Sequence, residues 1–410
     1  MNKKGFISMT LVYTFLILFL FLMLNVMRAY SEKNKFLDTI DKKIDLRLTT
    51  PTSYGMTILE SLLNKHEVLE SGTIDYSKNS EGSYYNSGSL TQDINATSNG
   101  FYFTEVVEDE DNNKIHMTED DKTVYFFRGV TERNYIIFAN YCWKILRTNE
   151  NEGVRLVLYG DYSTTEGCKL NTTIIPQSSY NIAATNNMYV GYMYGSNSSD
   201  YNITHENLNE SSIKLALDNW YKNNLLDTKN EKLIDDSSFC NDREIGKGGV
   251  FQGLTYNMDG TGTSNTLYQS FRRNATGGLD GTSISMSSAY PVYTCSNHND
   301  IFTKINDKGN QKLTYPIGTL TADELIIAGI SFKTGNSSFF MNYGVGIWTM
   351  TPSTFTNNEA RAVSMSSSGE LIESPVTNIY YILPVISLKN TTLIDSGDGS
   401  KDNPYRIKVN

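Results

Sequence analysis

Four histidines and four cysteines in 410 residues are few. No Cys-x-x-Cys and no His–Cys cluster is present, which removes the usual tetrahedral zinc arrangements. His66, His116, His205 and His298 are scattered, with no Glu-x-x-His spacing. A Gly-x-Ser-x-Gly elbow, a phosphate-binding loop and a Gly-x-Gly-x-x-Gly turn in a βαβ setting are also missing. A triad assembled in space would leave no such trace. The sequence nevertheless offers no enzyme, no cofactor and no metal site. Positive charge is short as well, the formal net charge being −10. Without a basic patch to release counterions from phosphates, nucleic acid is not an expected partner.

What is present begins with one long apolar run, Phe6 to Met27, free of charge and interrupted only by Ser8, Thr10, Thr14 and Asn25. As a helix it would extend about 33 Å, enough for a bilayer core. After Arg28 a polar stretch without Gly or Pro continues to Pro51, and Leu37, Ile40, Ile44 and Leu48 fall on one helical face. The pattern predicts a single helix over 6–50, its first half crossing a membrane and its second half a stalk. Lys3 and Lys4 at the short end place Met1 in the cytoplasm and the rest outside, although Arg28, Lys33 and Lys35 follow the run. The expected setting is a single-pass cell-membrane protein with the lipid bilayer as a partner. A cleaved secretory signal fits less well, because the run is too long and no Ala-x-Ala-like site follows.

Lys3, Lys4, Gly5, Phe6 and the run behind them resemble the precursor of a type IV pilin. The resemblance implies cleavage of a leader, residues 1–5, between Gly5 and Phe6, and assembly with other pilins. Most pilins carry a Glu five residues after the cut, where this chain has Thr10. Some minor pilins that cap or prime filaments lack that Glu. An ordinary single-pass anchor is the alternative.

Cys142, Cys168, Cys240 and Cys295 form an even set in the part expected outside, as disulfides would. Short-range closure favours Cys142 with Cys168 and Cys240 with Cys295, though three connectivities remain open.

Residues 51–122 read as a connecting region. MTILESLLNKHEVLE predicts a short helix, and the Ser/Asn/Gly-rich 77–100 a loop. The acidic run near 108–121 invites a calcium loop, but Lys114 stands where an EF-hand needs Gly, and a solvated hairpin tip is the reading preferred. From Thr123, TVYFFRG, NYIIFANYCWKILRT and GVRLVLYG predict an antiparallel meander with Trp143 in its core. SSIKLALDNWYKNNLL predicts a helix capped by Ser211 or Ser212, with Ile213, Leu217, Trp220 and Leu225 on one face. TADELIIAG carries a capping box, Thr321 with Glu324. Short strands then close the chain: GIWTMTP, ARAVSMSSSGELIES and IYYILPVISL.

The order TLTADELIIAG, Trp348-Thr349-Met350-Thr351-Pro352, Ala362-Val363-Ser364-Met365, a Ser-Gly turn and Tyr381-Ile382-Leu383-Pro384-Val385 resembles the bacterial C-type-lectin-like fold shared by formylglycine-generating-enzyme relatives. Leu383 replaces the Arg usual there. The fold class expected is therefore α+β: a long N-terminal transmembrane and stalk helix, then a β-rich C-type-lectin-like head over 123–410. The enzyme branch needs a reactive cysteine pair near its end, and no Cys follows Cys295. The calcium-dependent sugar motifs are absent, and Asp218-Asn219-Trp220 reads as a helix face burying Trp220. Asp395, Asp398 and Asp402 suit a hairpin turn better than a cation site.

Tyr, Ser, Asn and Gly crowd the loops around 180–205 and 255–290, a mixture that suits recognition. Tyr189, Tyr192, Tyr194, Tyr201, Tyr256, Tyr268 and Phe271 are examples. In lectin-like relatives the final strand region often presents the ligand contacts. That resemblance implies Trp348, Thr351, Thr354, Arg361, Ser364, Glu370 and Tyr381 as candidates. The expected function is a minor pilin or adhesin whose head binds an extracellular glycan or protein ligand. The alternatives are a surface binding protein outside any filament, and an inactive or unrecognised formylglycine-generating-type enzyme.

Overall fold

The computed structural model describes Met23 and residues 55–86, 89–104, 107–108, 114–115, 122–246, 249–251, 254–256, 259–275 and 289–408. In chain order the strands of its two principal sheets begin with β1 (Val68–Glu70), β2 (Gly100–Phe103), β3 (Tyr125–Arg128), β4 (Tyr135–Phe138), β5 (Tyr141–Thr148) and β6 (Val154–Ser163). Next come β7 (Gly167–Leu170), β8 (Gln177–Ser179), β9 (Ile234–Asp235), β10 (Thr266–Leu267) and β11 (Ile347–Thr356). The last are β12 (Glu359–Met365), β13 (Leu371–Pro375), β14 (Ile379–Tyr381), β15 (Val385–Leu388), β16 (Ile394–Ser396) and β17 (Tyr405–Ile407). The helices are α1 (Ile58–Lys65), α2 (Tyr201–Thr204), α3 (Ser212–Asn224), α4 (Gln269–Ala275) and α5 (Ala322–Ile327).

The larger sheet has eleven strands, in the order β1-β2-β3-β5-β6-β15-β9, with β7, β4, β17 and β16 attached beside it. The smaller has six, β8-β14-β11-β12-β13, with β10 on β11. β5 and β6 are the longest neighbours in the larger sheet, and β5 and the first half of β6 lie almost wholly buried, which is why these stretches run apolar on both faces rather than alternating. Trp143 is fully buried between them and α3, its ring edge-on to Trp220 at 5.8 Å. The meander differs from its expected order. β3 does not pair with β4; both pair with β5, β3 through Phe126 and Arg147 and β4 along Tyr135 to Phe138.

Local signals are honoured at the helix starts. Ser211 caps α3 through Lys214 N–H, and Thr321 with Glu324 forms the capping box of α5. Thr57 with Glu60 does the same for α1, each such cap being worth roughly 1 kcal/mol. α5 is buried at all six positions. The stretch 77–100, expected as loop, folds its tyrosines into a small hairpin, Ser83–Asn86 with Ser89–Gln92. Val107–Glu108 pairs with Lys114–Ile115, and the acidic tip between them lies outside the described residues.

Gly55–Asn410 is one compact unit, so the described part of 51–122 joins the same body as the later strands. Its ends meet: Ile394 N–H donates to Met56 O at 2.8 Å, Thr57 bridges to Leu393, and β17 runs parallel beside β4.

Two expectations are corrected. Among the described residues the helices are short, α3 being the longest with 13 residues. None is long and apolar enough to cross a membrane, which takes about 20 residues. The long transmembrane and stalk helix in the expected fold class therefore has no counterpart there, and the 6–50 run itself lies outside the described residues apart from Met23. The single-pass cell-membrane placement that rested on that helix falls with it. Gly5 and Phe6 likewise lie outside the described residues. The β-rich character of the remainder stands, as do two disulfides, Cys142–Cys168 and Cys240–Cys295. Paired cysteines of this kind fit a secreted or extracellular domain.

Candidate functional site

Charged residues inside apolar strands must find partners, because an isolated buried charge costs several kcal/mol. Arg147 on β5 and Arg155 on β6 are such residues. They sit directly opposite each other in the ladder, where like charges repel. Glu324, at the start of α5, resolves this: its Oε1 accepts from Arg147 Nε at 3.1 Å and from Arg155 Nη1 at 2.5 Å. Its other oxygen caps α5 through Thr321 N–H. Burial pushes the Glu324 carboxyl up, and the two guanidinium groups outweigh it and hold the group below its ordinary range. Tyr293 lies under Arg147 at 4.3 Å and Phe239 under Arg155 at 4.4 Å, which adds cation–π attraction.

Beside this triad Arg273, on α4, forks onto Asp323 at 3.0 and 3.1 Å and reaches Asp242 at 2.5 Å. Asp323 also accepts from Asn274 Nδ2 and from Val292 N–H. Burial raises the Asp242 carboxyl to about 6, against the pull of Arg273. A cavity of about 10 Å³ lies among Arg155, Asp242, Tyr293, Asp323, Glu324 and Thr351. That is room for about one water, far below a sugar or nucleotide pocket. Every carboxylate around it is engaged by an arginine or a backbone N–H, so the cluster ties α4 to α5 and α5 to the larger sheet. Among the described residues no group of three or more His, Cys, Asp or Glu is placed to hold a metal ion.

The expected ligand contacts are largely dispersed. Trp348 is fully buried, its indole N–H donating to Ser178 O. Thr351 Oγ accepts from Ala322 N–H at the start of α5. Ser364 pairs with Ser374 at 2.8 Å inside the sheet. Glu370 and Tyr381 are half-buried and far apart in the ladder, Glu370 in the β12–β13 turn and Tyr381 opposite Gln177. Thr354 and Arg361 are cross-strand partners, as are the buried Trp348 and Ser364. Thr354 Oγ donates to Glu373 Oε1 at 2.9 Å. Burial raises the Glu373 carboxyl, offset in part by Thr354, Arg361 and Lys333. Tyr256 is buried beside it, its phenol raised by burial and by the Glu373 charge. Arg361 remains half-exposed and also meets Glu359 at 2.6 Å. Glu373 was missed by sequence reasoning: in ELIES nothing distinguishes it from a solvated strand residue.

The tyrosine-rich loops are not a displayed surface. Tyr192, Tyr256, Tyr268 and Phe271 are buried, and Tyr189, Tyr194 and Tyr201 half-buried. Asparagines make this possible by satisfying loop backbone. Buried Asn187 donates to Thr261 O and Ser264 O, and buried Asn241 donates to Met350 O while accepting from Tyr192 N–H. His205 stacks on Tyr201 at 4.1 Å and meets Tyr268 Oη, and burial drives its imidazole down to about 3. His66 packs against Phe101 and Phe127, while His298 is exposed. None of these three lines the cavity.

Comparison with protein-family models, with curated proteins and with solved structures finds no match for this chain.

Proposed function

We propose that the Gly55–Asn410 unit is an extracellular recognition head of the lectin-like kind, with no reaction of its own, and that it binds a polyhydroxylated ligand over the β11–β12–β13 face. The supporting observation is that Arg361 and Glu373, both half-exposed, stand together over the buried Thr354, whose hydroxyl donates to Glu373. A carboxylate beside a guanidinium offers both acceptor and donor to vicinal hydroxyls, and charge-assisted hydrogen bonds of that kind are the stronger ones. Lys333 adds a second cation near Glu373. The two disulfides suit an oxidising exterior.

A glycan array probed with the full chain, with and without calcium, tests the reading. Binding to a defined set of neutral glycans, lost in Arg361→Ala and in Glu373→Gln, is the expected result. Binding unchanged in both variants, or no glycan bound, overturns it.

A further inference from the structure

Lys144 differs from every other buried cation discussed above. Its side chain projects from β5 into a cage of aromatic rings: Tyr159 at 4.5 Å, Tyr135 at 5.0 Å, Phe340 at 5.8 Å and Tyr343 at 5.9 Å from Nζ. The residue is buried, and its amine donates to the backbone carbonyl of Phe340. Among the described residues no carboxylate pairs with it, whereas Lys214, equally buried, meets both Glu210 and Asp218.

Two walls of the cage are fixed. Tyr135 and Tyr159 stand on β4 and β6, each laddered to β5. The other two, Phe340 and Tyr343, come from the 339–343 segment between α5 and β11, which belongs to no sheet. It is tied down by Phe340 N–H to Gly129 O at 3.1 Å, by Tyr343 Oη to Leu158 O at 3.1 Å, and by the Lys144 amine itself.

We propose that Lys144 and the 339–343 segment form a proton-operated latch. With the amine neutral, its N–H holds Phe340 O and the segment stays down. Once the amine is protonated, an ammonium sits among rings with no counter-ion, and the attraction of the ring faces recovers only part of the hydration lost. Lifting the unladdered segment lets water reach the charge. The other groups facing Nζ do not compensate. The Tyr135 and Tyr343 phenols are pushed above their ordinary value by burial and stay neutral, and Lys401, in the turn before β17, repels a second cation. Burial first, and the Lys401 charge second, bring the Lys144 amine down to about 7. The switch would therefore act close to neutrality. The segment runs directly into β11, which carries Thr354.

Hydrogen exchange of the full chain at pH 5.5 and 8.5, corrected for intrinsic exchange rates, tests this. Amides of 339–346 should be about tenfold less protected at the lower pH in the natural chain, and equally protected at both in Lys144→Met. Equal protection in the natural chain overturns the latch, and so does an unchanged pH effect in the variant. If Lys144→Met fails to fold, the natural chain still decides: the loss must be confined to 339–346 with a midpoint near 7. A midpoint elsewhere, or a loss centred on α1 and His66, refutes it.

Discussion

Arg147 and Arg155 face each other across two adjacent strands and end on the same oxygen of one carboxylate, Glu324. The arrangement binds a buried helix to the centre of the larger sheet, and it makes one side chain responsible for neutralising two charges.

Removing that charge should be severe. Glu324→Gln leaves two opposed guanidinium groups without a counter-ion, and a broken buried pair costs about 3–5 kcal/mol. Urea unfolding at pH 7 checks this. A change below about 1 kcal/mol would mean that water already screens the pair.

The pH dependence of stability should carry the mark of Lys144. Its folded value is about 7, and its unfolded value is near 10.4. Between these the unfolded chain holds a proton that the folded chain does not, so stability rises with pH through roughly 7 to 10. Below about 7 both states are protonated and this contribution is flat. Lys144→Met should remove the rise and stabilise the protein at pH 6–7, by an amount on the order of 4–5 kcal/mol. Unfolding curves at a series of pH values, natural chain against variant, read this directly; parallel profiles would refute it.

Much of this architecture was legible because its signals are local. The caps at Ser211 and Thr321 lie within three residues of the groups they satisfy. Apolar runs announced β3 to β6, and short-range closure favoured the two disulfides found. The partners of Arg147 and Arg155 were not legible, because Glu324 lies 177 and 169 residues away. A charge inside WKILR or VRLVL signals that a partner must exist without naming it. The tyrosine loops misled for a related reason. Composition does not distinguish a ring offered to a ligand from one covered by its own loop, and here buried Asn187 and Asn241 satisfy the loop backbone that covers them.

The disulfides should each contribute to stability in proportion to the logarithm of the loop they close. With separations of 26 and 55 residues, chain entropy assigns about 3.5 and 4 kcal/mol. Paired Cys→Ala variants, compared in thermal melts, should lose stability in that order. Equal melting with and without reductant would contradict it.

Trp348 and Arg361, both expected as ligand contacts, should part company. Trp348 is fully buried against Tyr180 and Tyr380, so Trp348→Ala should cost about 3–5 kcal/mol of stability. Arg361→Ala should leave stability within about 0.5 kcal/mol and affect ligand binding alone.

The most direct test of the recognition reading is calorimetric titration of the full chain with a glycan selected on the array, beside folded Arg361→Ala and Glu373→Gln. Saturable one-site binding by the natural chain, weakened at least about tenfold in each variant, is the predicted result. Equal affinity in all three proteins would show that the ligand does not touch the Thr354–Arg361–Glu373 patch.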